Sequence, residues 1–280
     1  MQSTLIDIHP LSPSTGAEIR GVDLASPLRG DVIAEIRRAL SHYCVVFFRD
    51  QEFDDEQHKA LARQFGDLFI HPNFKAGPDP EIVEVRREPE DTRIVGEDWH
   101  TDTTMVTAPP MGAILYAQVT PPAGGDTLFA NQYLAYESLS AGMKQMLKGM
   151  RAWHSDFRVA GPHVGLNDKR ATVVRQDSDW QETRSLHPVV RTHPESGRRA
   201  LFVNLSYTTH FENMTREDSA PLLDYLMAHG HRPEFTCRFR WEPGSVAFWD
   251  NRCSKHIAVH DVSGHRRVMR RVQIAGDIPV

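Results

Sequence analysis

Apolar residues in this chain recur at two spacings, and each spacing predicts a different element. Val32, Ile33, Ile36 and Leu40 fall three and four apart after Asp31, so the pattern predicts a helix from Asp31 to Leu40 capped by Asp31. Cys44 to Phe48 is short, β-branched and aromatic, which reads as a core strand. A second helix is expected from Asp54 to Phe65, where Asp54, Asp55 and Glu56 face the positive end of the helix dipole. Helical spacing returns from Leu139 to Met150 and from Pro221 to His229. Short strands are expected at Ile82–Val85, Ala113–Gln118, Ala200–Asn204, Phe235–Trp241, Ser245–Trp249 and Val268–Ile274. Pro10, Pro13, Gly16, Gly21 and Pro27 break residues 4–30 into short strands and turns. Between Gly161 and Leu186 the chain turns polar and weakly periodic, which reads as a flexible insertion or lid inside one domain spanning 1–280. Many short strands with a few helices outside them suggest a mainly β jelly-roll barrel, an architecture that can enclose a small-molecule cavity.

Composition narrows the partners. The formal charge of −5 argues against nucleic acid, whose phosphates need a basic face. No apolar run approaches the ~20 residues that span a bilayer, and the N-terminus lacks the basic and apolar blocks of a signal peptide. Cys44, Cys237 and Cys253 stand at no metal-site spacing and read as free thiols in a reducing cytoplasm. A small molecule is the expected partner, with neither nucleic acid nor membrane.

The chemistry starts at Trp99-His100-Thr101-Asp102-Thr103-Thr104. On a strand, residues two apart point to one face, so His100 and Asp102 would offer an imidazole and a carboxylate to a single ion. His256 would complete a two-His-one-carboxylate face, which leaves open positions on iron(II). The spacing alone decides little, because His154-Ser155-Asp156 repeats it. The chain has no Gly-x-Ser-x-Gly elbow, P-loop, dinucleotide fingerprint or His-Glu-x-x-His helix.

Context separates the two pairs. GAEIRGVDL, FGDLFIHP, WHTDTT, GAILYA, GGDTLFAN, LHPVVRTHPESGRRALFVN, FRW, WDNRCSKH and RRVMRRVQIAGD run nearly end to end. In these segments the chain resembles the iron(II)- and 2-oxoglutarate-dependent dioxygenases of the taurine dioxygenase and 2,4-dichlorophenoxyacetate dioxygenase family. The resemblance implies a double-stranded β-helix (jelly roll) and a metal triad of His100, Asp102 and His256. It implies Fe(II) as cofactor, with 2-oxoglutarate and O2 as co-substrates giving succinate and CO2. Arg267 matches the arginine for the distal carboxylate of 2-oxoglutarate, and Thr127 matches the threonine that shares it. Arg271 and His71 match the two contacts to a substrate anion. Arg267 and Arg271 share a strand face, and Arg266 and Arg270 point to the other. Asp102 is the ligand that halogenating relatives lack, so hydroxylation is the expected outcome.

Departures from the family pattern narrow the substrate. Where taurine-specific members hold an amine with polar side chains, this chain has Phe74, Gly96 and Ala160, which would leave an ammonium unpaired and desolvated. The resemblance therefore implies an alkylsulfonate, alkyl sulfate or aryloxyalkanoate, with Phe74, Val106 and Tyr207 as apolar lining. Taurine itself is the alternative, followed by a non-oxidative metal-dependent hydrolase or isomerase on the same barrel. Relatives imply a homo-oligomer, dimer or tetramer.

Overall fold

The computed structural model describes residues 5–74, 79–175, 177–261 and 264–280. Strands β1 (Asp7–Pro10) and β2 (Ala17–Arg20) lead into helix α1 (Gly30–Tyr43), β3 (Val45–Phe48), α2 (Asp55–Arg63), β4 (Leu68–Phe69) and β5 (Val83–Arg87). The middle of the chain forms β6 (Gly112–Val119), β7 (Thr127–Asn131), α3 (Gln132–Glu137), α4 (Ala141–Leu147) and β8 (Arg151–Ser155). Then come β9 (Arg184–Pro188), β10 (Val190–Thr192), β11 (Arg199–Leu201), β12 (Thr208–Phe211) and α5 (Arg216–Gly230). The last strands are β13 (Thr236–Phe239), β14 (Val246–Asp250), β15 (Ser254–Ala258) and β16 (Arg267–Ile274).

One large sheet runs β1-β2-β3-β14-β6-β16, with β4 and β5 both pairing with β16. A three-stranded sheet, β13-β7-β15, carries the opposing wall. Alternation along β3 shows why the two sheets stack. Val46 and Phe48 join Ile36 and Leu40 of α1 in the outer core, while Val45 and Phe47 join Phe129 and Phe239 in the core between the sheets. Phe47 and Phe239 stack at 4.0 Å with an 8° angle between rings. Each large side chain buried this way contributes about 1.5–3 kcal/mol. The mainly β core with helices packed outside matches the expected architecture.

Three expected helices end elsewhere, each for a local reason. α1 starts at Gly30 without a side-chain cap, and the Asp31 carboxylate instead accepts from Val32 N at 2.9 Å. The helix expected over 139–150 is shortened to α4, which Ser140 Oγ starts by accepting from Met143 N at 3.2 Å, and a separate helix, α3, precedes it where none was expected. α5 begins before Pro221, because Thr215 Oγ1 caps it by accepting from Asp218 N at 3.1 Å. Among the described residues no helix is long and apolar enough to cross a membrane.

Residue 176 of the expected 161–186 insertion lies outside the described residues. The rest of it is tied down on two sides. Arg175 N donates to Asn73 O at 2.7 Å, Phe74 and Val174 form a β-bridge, and Thr172 Oγ1 accepts from Arg86 N at 2.7 Å. The segment therefore packs against the loop that carries His71.

A buried ion-pair cluster locks the end of β14. Asp250 accepts from Arg252 Nε at 2.9 Å, Arg252 Nη2 at 2.7 Å and His193 Nε2 at 3.0 Å. Burial would raise the Asp250 carboxyl, but Arg252 and His193 override it and hold the group far below the usual carboxylate range. Asp250→Ala removes the buried partner of Arg252, leaving its guanidinium only the half-exposed Glu195 at 2.8 Å, and is expected to cost about 3–5 kcal/mol in urea unfolding at neutral pH. Because the folded-state pKa is depressed, this contribution is present above the unfolded-chain value near ~4 and fades as pH falls below it. The stability gap between wild type and variant should therefore shrink in acid.

Candidate metal and co-substrate site

His100 and His256 are held by backbone before any side chain acts. His100 N donates to His256 O at 2.9 Å, and His256 N donates to His100 O at 2.8 Å, forming an isolated bridge between the 100 segment and β15. The two rings consequently stand 4.1 Å apart, centre to centre. His100 Nδ1 lies 2.8 Å from the Asp98 carbonyl, so that nitrogen carries the proton and Nε2 is left as a lone-pair donor. His256 packs between Trp249, at 4.7 Å, and Phe129, at 5.8 Å.

Asp102 reaches the same point by a route the strand argument did not anticipate. It does not continue a strand from His100; residues 102–105 form a turn, and Thr103 adopts φ +53° in the left-handed region. The chain turns here because long-range partners hold it. Thr101 Oγ1 donates to Ser254 O at 3.0 Å. His154 Nδ1 lies 2.8 Å from Thr104 Oγ1, and Asn204 Nδ2 donates to the same oxygen at 3.1 Å. The repeat of the His-x-Asp spacing at His154 and Asp156 is thus scaffold: Asp156 accepts from Asn73 Nδ2 at 2.9 Å and Thr183 N at 3.0 Å.

The result is a compact ligand set. Asp102 Oδ1 lies 3.7 Å from His100 Nε2 and 3.9 Å from His256 Nε2. One donor atom from each of the three residues falls within 4.8 Å of the others, all buried. Two ligand atoms each about 2 Å from one ion lie at most about 4 Å apart, which covers the separations of 3.7 and 3.9 Å, so the cluster could hold a divalent cation. Burial pulls both imidazoles below their ordinary pKa, which keeps them neutral. Burial alone would raise Asp102, but the charge of Arg271 leads the interactions that hold it at about 2.

Sequence reasoning left Asn251 without a role, although WDNR was in view. Its Oδ1 accepts from Trp249 Nε1 at 3.0 Å and from Asp102 N at 3.4 Å, and its Nδ2 donates to Pro110 O at 3.3 Å. Asn251 thereby holds the Asp102 backbone against the barrel wall.

A cavity joins the ligands to two cations. It is lined by His100, His256, Thr127, Arg267 and Arg271, with Gly96 and Ala258 at its rim. Arg267 Nε is buried without a hydrogen-bond partner. Burial and then the charge of Arg87 lower the Arg267 guanidinium to about 10. Thr127 Oγ1 accepts from Trp241 Nε1 at 3.0 Å, leaving its own proton available. A buried guanidinium and a pre-aimed hydroxyl side by side suit a carboxylate.

A family model described as Taurine catabolism dioxygenase TauD, TfdA family matches residues 7–273. The chain belongs to the TauD/TfdA dioxygenase family. It is 35% identical over 277 residues to an alpha-ketoglutarate-dependent sulfate ester dioxygenase of Pseudomonas putida, covering 98% of this chain and 91% of that protein. Its fold superposes on a taurine dioxygenase from Burkholderia xenovorans with a TM-score of 0.82 and 37% identity, covering 98% of this chain and 92% of the other. It also superposes on AAD-2 in complex with Mn(II) and N-oxalylglycine, with a TM-score of 0.80 and 26% identity over 99% of both chains. The protein is therefore a jelly-roll dioxygenase dependent on 2-oxoglutarate (alpha-ketoglutarate), and its His-Asp-His cluster could hold a metal ion.

The other expected residues fall into two groups. Arg271 and His71 converge on Asp102: Arg271 Nη1 donates to Asp102 Oδ1 at 3.2 Å, and the Asp102 and Arg271 charges both act on His71. Phe74 lies beneath the Arg271 guanidinium at 5.2 Å. Tyr207 is more than apolar lining, because its buried phenol is raised by burial and by the Asp102 charge, and the Thr103 backbone bonds to it. Val106 sits past the 102–105 turn, where its carbonyl lies 3.1 Å from His187 Nε2.

Asn251→Ala is expected to weaken Mn(II) binding by about 10- to 100-fold in calorimetry, as loss of an outer partner typically does. Asp102→Ala should weaken it further than Asn251→Ala does. Retained wild-type affinity in Asp102→Ala would remove that carboxylate from the metal site.

Proposed function

We propose that this dioxygenase uses iron(II) and O2 to hydroxylate a small organic anion, with sulfate esters and related sulfonates or aryloxyalkanoates as the substrate class. His100, Asp102 and His256 hold the metal, and Arg267 with Thr127 seats the far carboxylate of 2-oxoglutarate. The bound iron, with O2 and the 2-oxo acid, supplies the oxidising power for C–H hydroxylation. The protein's own residues position, neutralise and exclude water.

The observation that carries the substrate reading is the paired arrangement of Arg271 and His71. Two Arg271 nitrogens, Nε and Nη2, are buried without partners. His71 Nδ1 accepts from the backbone N–H groups of Asn73, at 3.1 Å, and Phe74, at 3.3 Å. Its proton is therefore on Nε2, which is left to donate. Burial and Arg271 push the ring down to about 3, so it stays neutral and donates without adding a second charge. Together they form one fixed cation and one neutral donor, which suits a monoanionic head group.

The three positions at which taurine-specific members hold an amine offer no polar side chain here. Gly96 has φ +79°, and a Cβ there would stand 2.9 Å from His100 Cε1, so no longer side chain fits at that position. Ala160 is fully buried and Phe74 is aromatic. An ammonium would stay unpaired beside them, which supports an apolar tail over taurine. With a sulfate ester, hydroxylation at the carbon bearing the ester oxygen gives a hemiacetal-type product. That product collapses to an aldehyde and free sulfate, while 2-oxoglutarate and O2 become succinate, CO2 and the hydroxyl group.

Oxygen consumption and succinate release with iron(II) are the test, run over alkyl sulfates, alkylsulfonates, phenoxyacids and taurine. Turnover is expected to be strongest with an apolar-tailed anion, and preference for taurine would reverse the substrate assignment. Arg271→Met should raise KM for that substrate by about 10- to 100-fold while leaving 2-oxoglutarate affinity near wild type. Mn(II) affinity of the same variant serves as the control for its contact with Asp102.

A further inference from the structure

We propose that Arg87 is a second guanidinium of the co-substrate pocket, and that Arg87 and Arg267 together grip the far carboxylate of the 2-oxo acid. This rests on the co-substrate reading above and extends it to a residue that the family resemblance gave no role.

The register places the two arginines side by side. In the antiparallel pairing of β16 with β5, Arg267 is the direct partner of Arg87, and cross-strand partners project from one face. Val85, two residues before Arg87 on β5, lines the metal-site cavity, so that face is the inner one. A second cavity, lined by Arg87 and Gly125 among others, shares Val85, Val95, Ala258 and Arg267 with the first. Arg267 therefore stands at a junction, with the metal ligands on one side and Arg87 on the other.

Both guanidinium groups are under-satisfied. Arg87 is a buried residue, and the Nε atoms of Arg87 and Arg267 are buried without hydrogen-bond partners. Among the described residues, neither has a carboxylate within ion-pair distance. Asp126, whose charge reaches Arg267, is bonded through Oδ2 to Arg238 at 2.6 Å. Arg87 Nη2 lies 3.5 Å from His260 Nε2, and His260 Nδ1 lies 3.8 Å from Glu97 Oε2, which orients the guanidinium without neutralising it. Two adjacent buried cations repel each other, and a shared carboxylate removes that cost while supplying charge-assisted hydrogen bonds. A single carboxylate has two oxygens and about four acceptor sites, enough for Arg267, Thr127 and Arg87 together.

The assignment predicts a selectivity that a purely structural Arg87 would not give. The test is calorimetric titration of the full-length Mn(II)-loaded protein with N-oxalylglycine, 2-oxoglutarate and 2-oxopentanoate, the last having the same chain but no far carboxylate. Arg87→Met is expected to weaken both diacids by about 10- to 100-fold, the range for a lost charged hydrogen bond. Affinity for 2-oxopentanoate should change less than about twofold. Arg87→Lys should recover part of the diacid loss, because it restores the charge without the fork. Equal weakening of all three acids, or no change for any, would overturn the role of Arg87. If Arg87→Met does not fold, Arg87→Lys decides alone: a diacid-specific loss supports the assignment, and unchanged affinities sink it. Wild-type protein that binds Mn(II) but no 2-oxo acid would instead overturn the co-substrate reading and this extension with it.

Discussion

His100 and His256 exchange backbone hydrogen bonds of 2.9 and 2.8 Å outside any regular sheet, and that two-residue bridge determines where two imidazoles stand. Its position is inherited from β15, whose pairing with β7 sets His256 opposite Phe129 and Ala258 opposite Thr127. The hydroxyl beside Arg267 and one metal ligand are thus fixed by the same two strands. Backbone pairing is the stiffest tether available in a sheet, because register cannot slip by one residue without turning every side chain to the other face. The ligand geometry is consequently a property of the fold, and side chains refine it.

The carboxylate of Asp102 is where the site's charges compete. Its Oδ1 lies 3.2 Å from Arg271 Nη1 and within 4 Å of both imidazole nitrogens. Arg271 makes the carboxylate cheap to bury, and the neighbouring cation keeps it ionised down to about 2. A metal ion among the three ligands would draw on the oxygen that Arg271 now contacts. The same guanidinium carries unpaired Nε and Nη2 atoms, so it can face an anion on its other edge. One arginine thus binds the Asp102 carboxylate through Nη1 and keeps two further donor atoms for an anion.

Much of this was legible in the chain, and the limits have physical causes. Strand alternation correctly placed Arg267 and Arg271 together and sent Arg270 outward, where its Nη2 meets Glu84 at 3.2 Å. It reached Asp102 for the wrong reason, because the turn at 102–105 depends on His154 and Asn204, which lie 50 and 100 residues from Thr104. No local spacing encodes contacts that distant. Asn251 stood inside a recognised segment, yet its role appears only when its partners at Asp102, Trp249 and Pro110 come together. Arg87 offered still less, one charge in a run of charges, since its meaning depends on which residue of β16 it faces.

β16 sets the scale of the whole site. Arg267 and Arg271 are four residues apart on one strand, and four residues of extended chain put their Cα atoms about 13 Å apart. Both guanidinium groups line one cavity together with His100 and His256. The strand is clamped on both edges, by β5 from Arg267 to Arg271 and by β6 through to Ile274, with a register shift against β6 only between Val268 and Met269. Because the shift lies just beyond Arg267, the rest of the strand pairs regularly and holds Arg271 in register with Leu115. A β-strand gripped from both sides cannot lengthen or rotate, so the distance between the two cationic seats is set by the main chain. Side-chain changes can then alter what each seat accepts without moving either one.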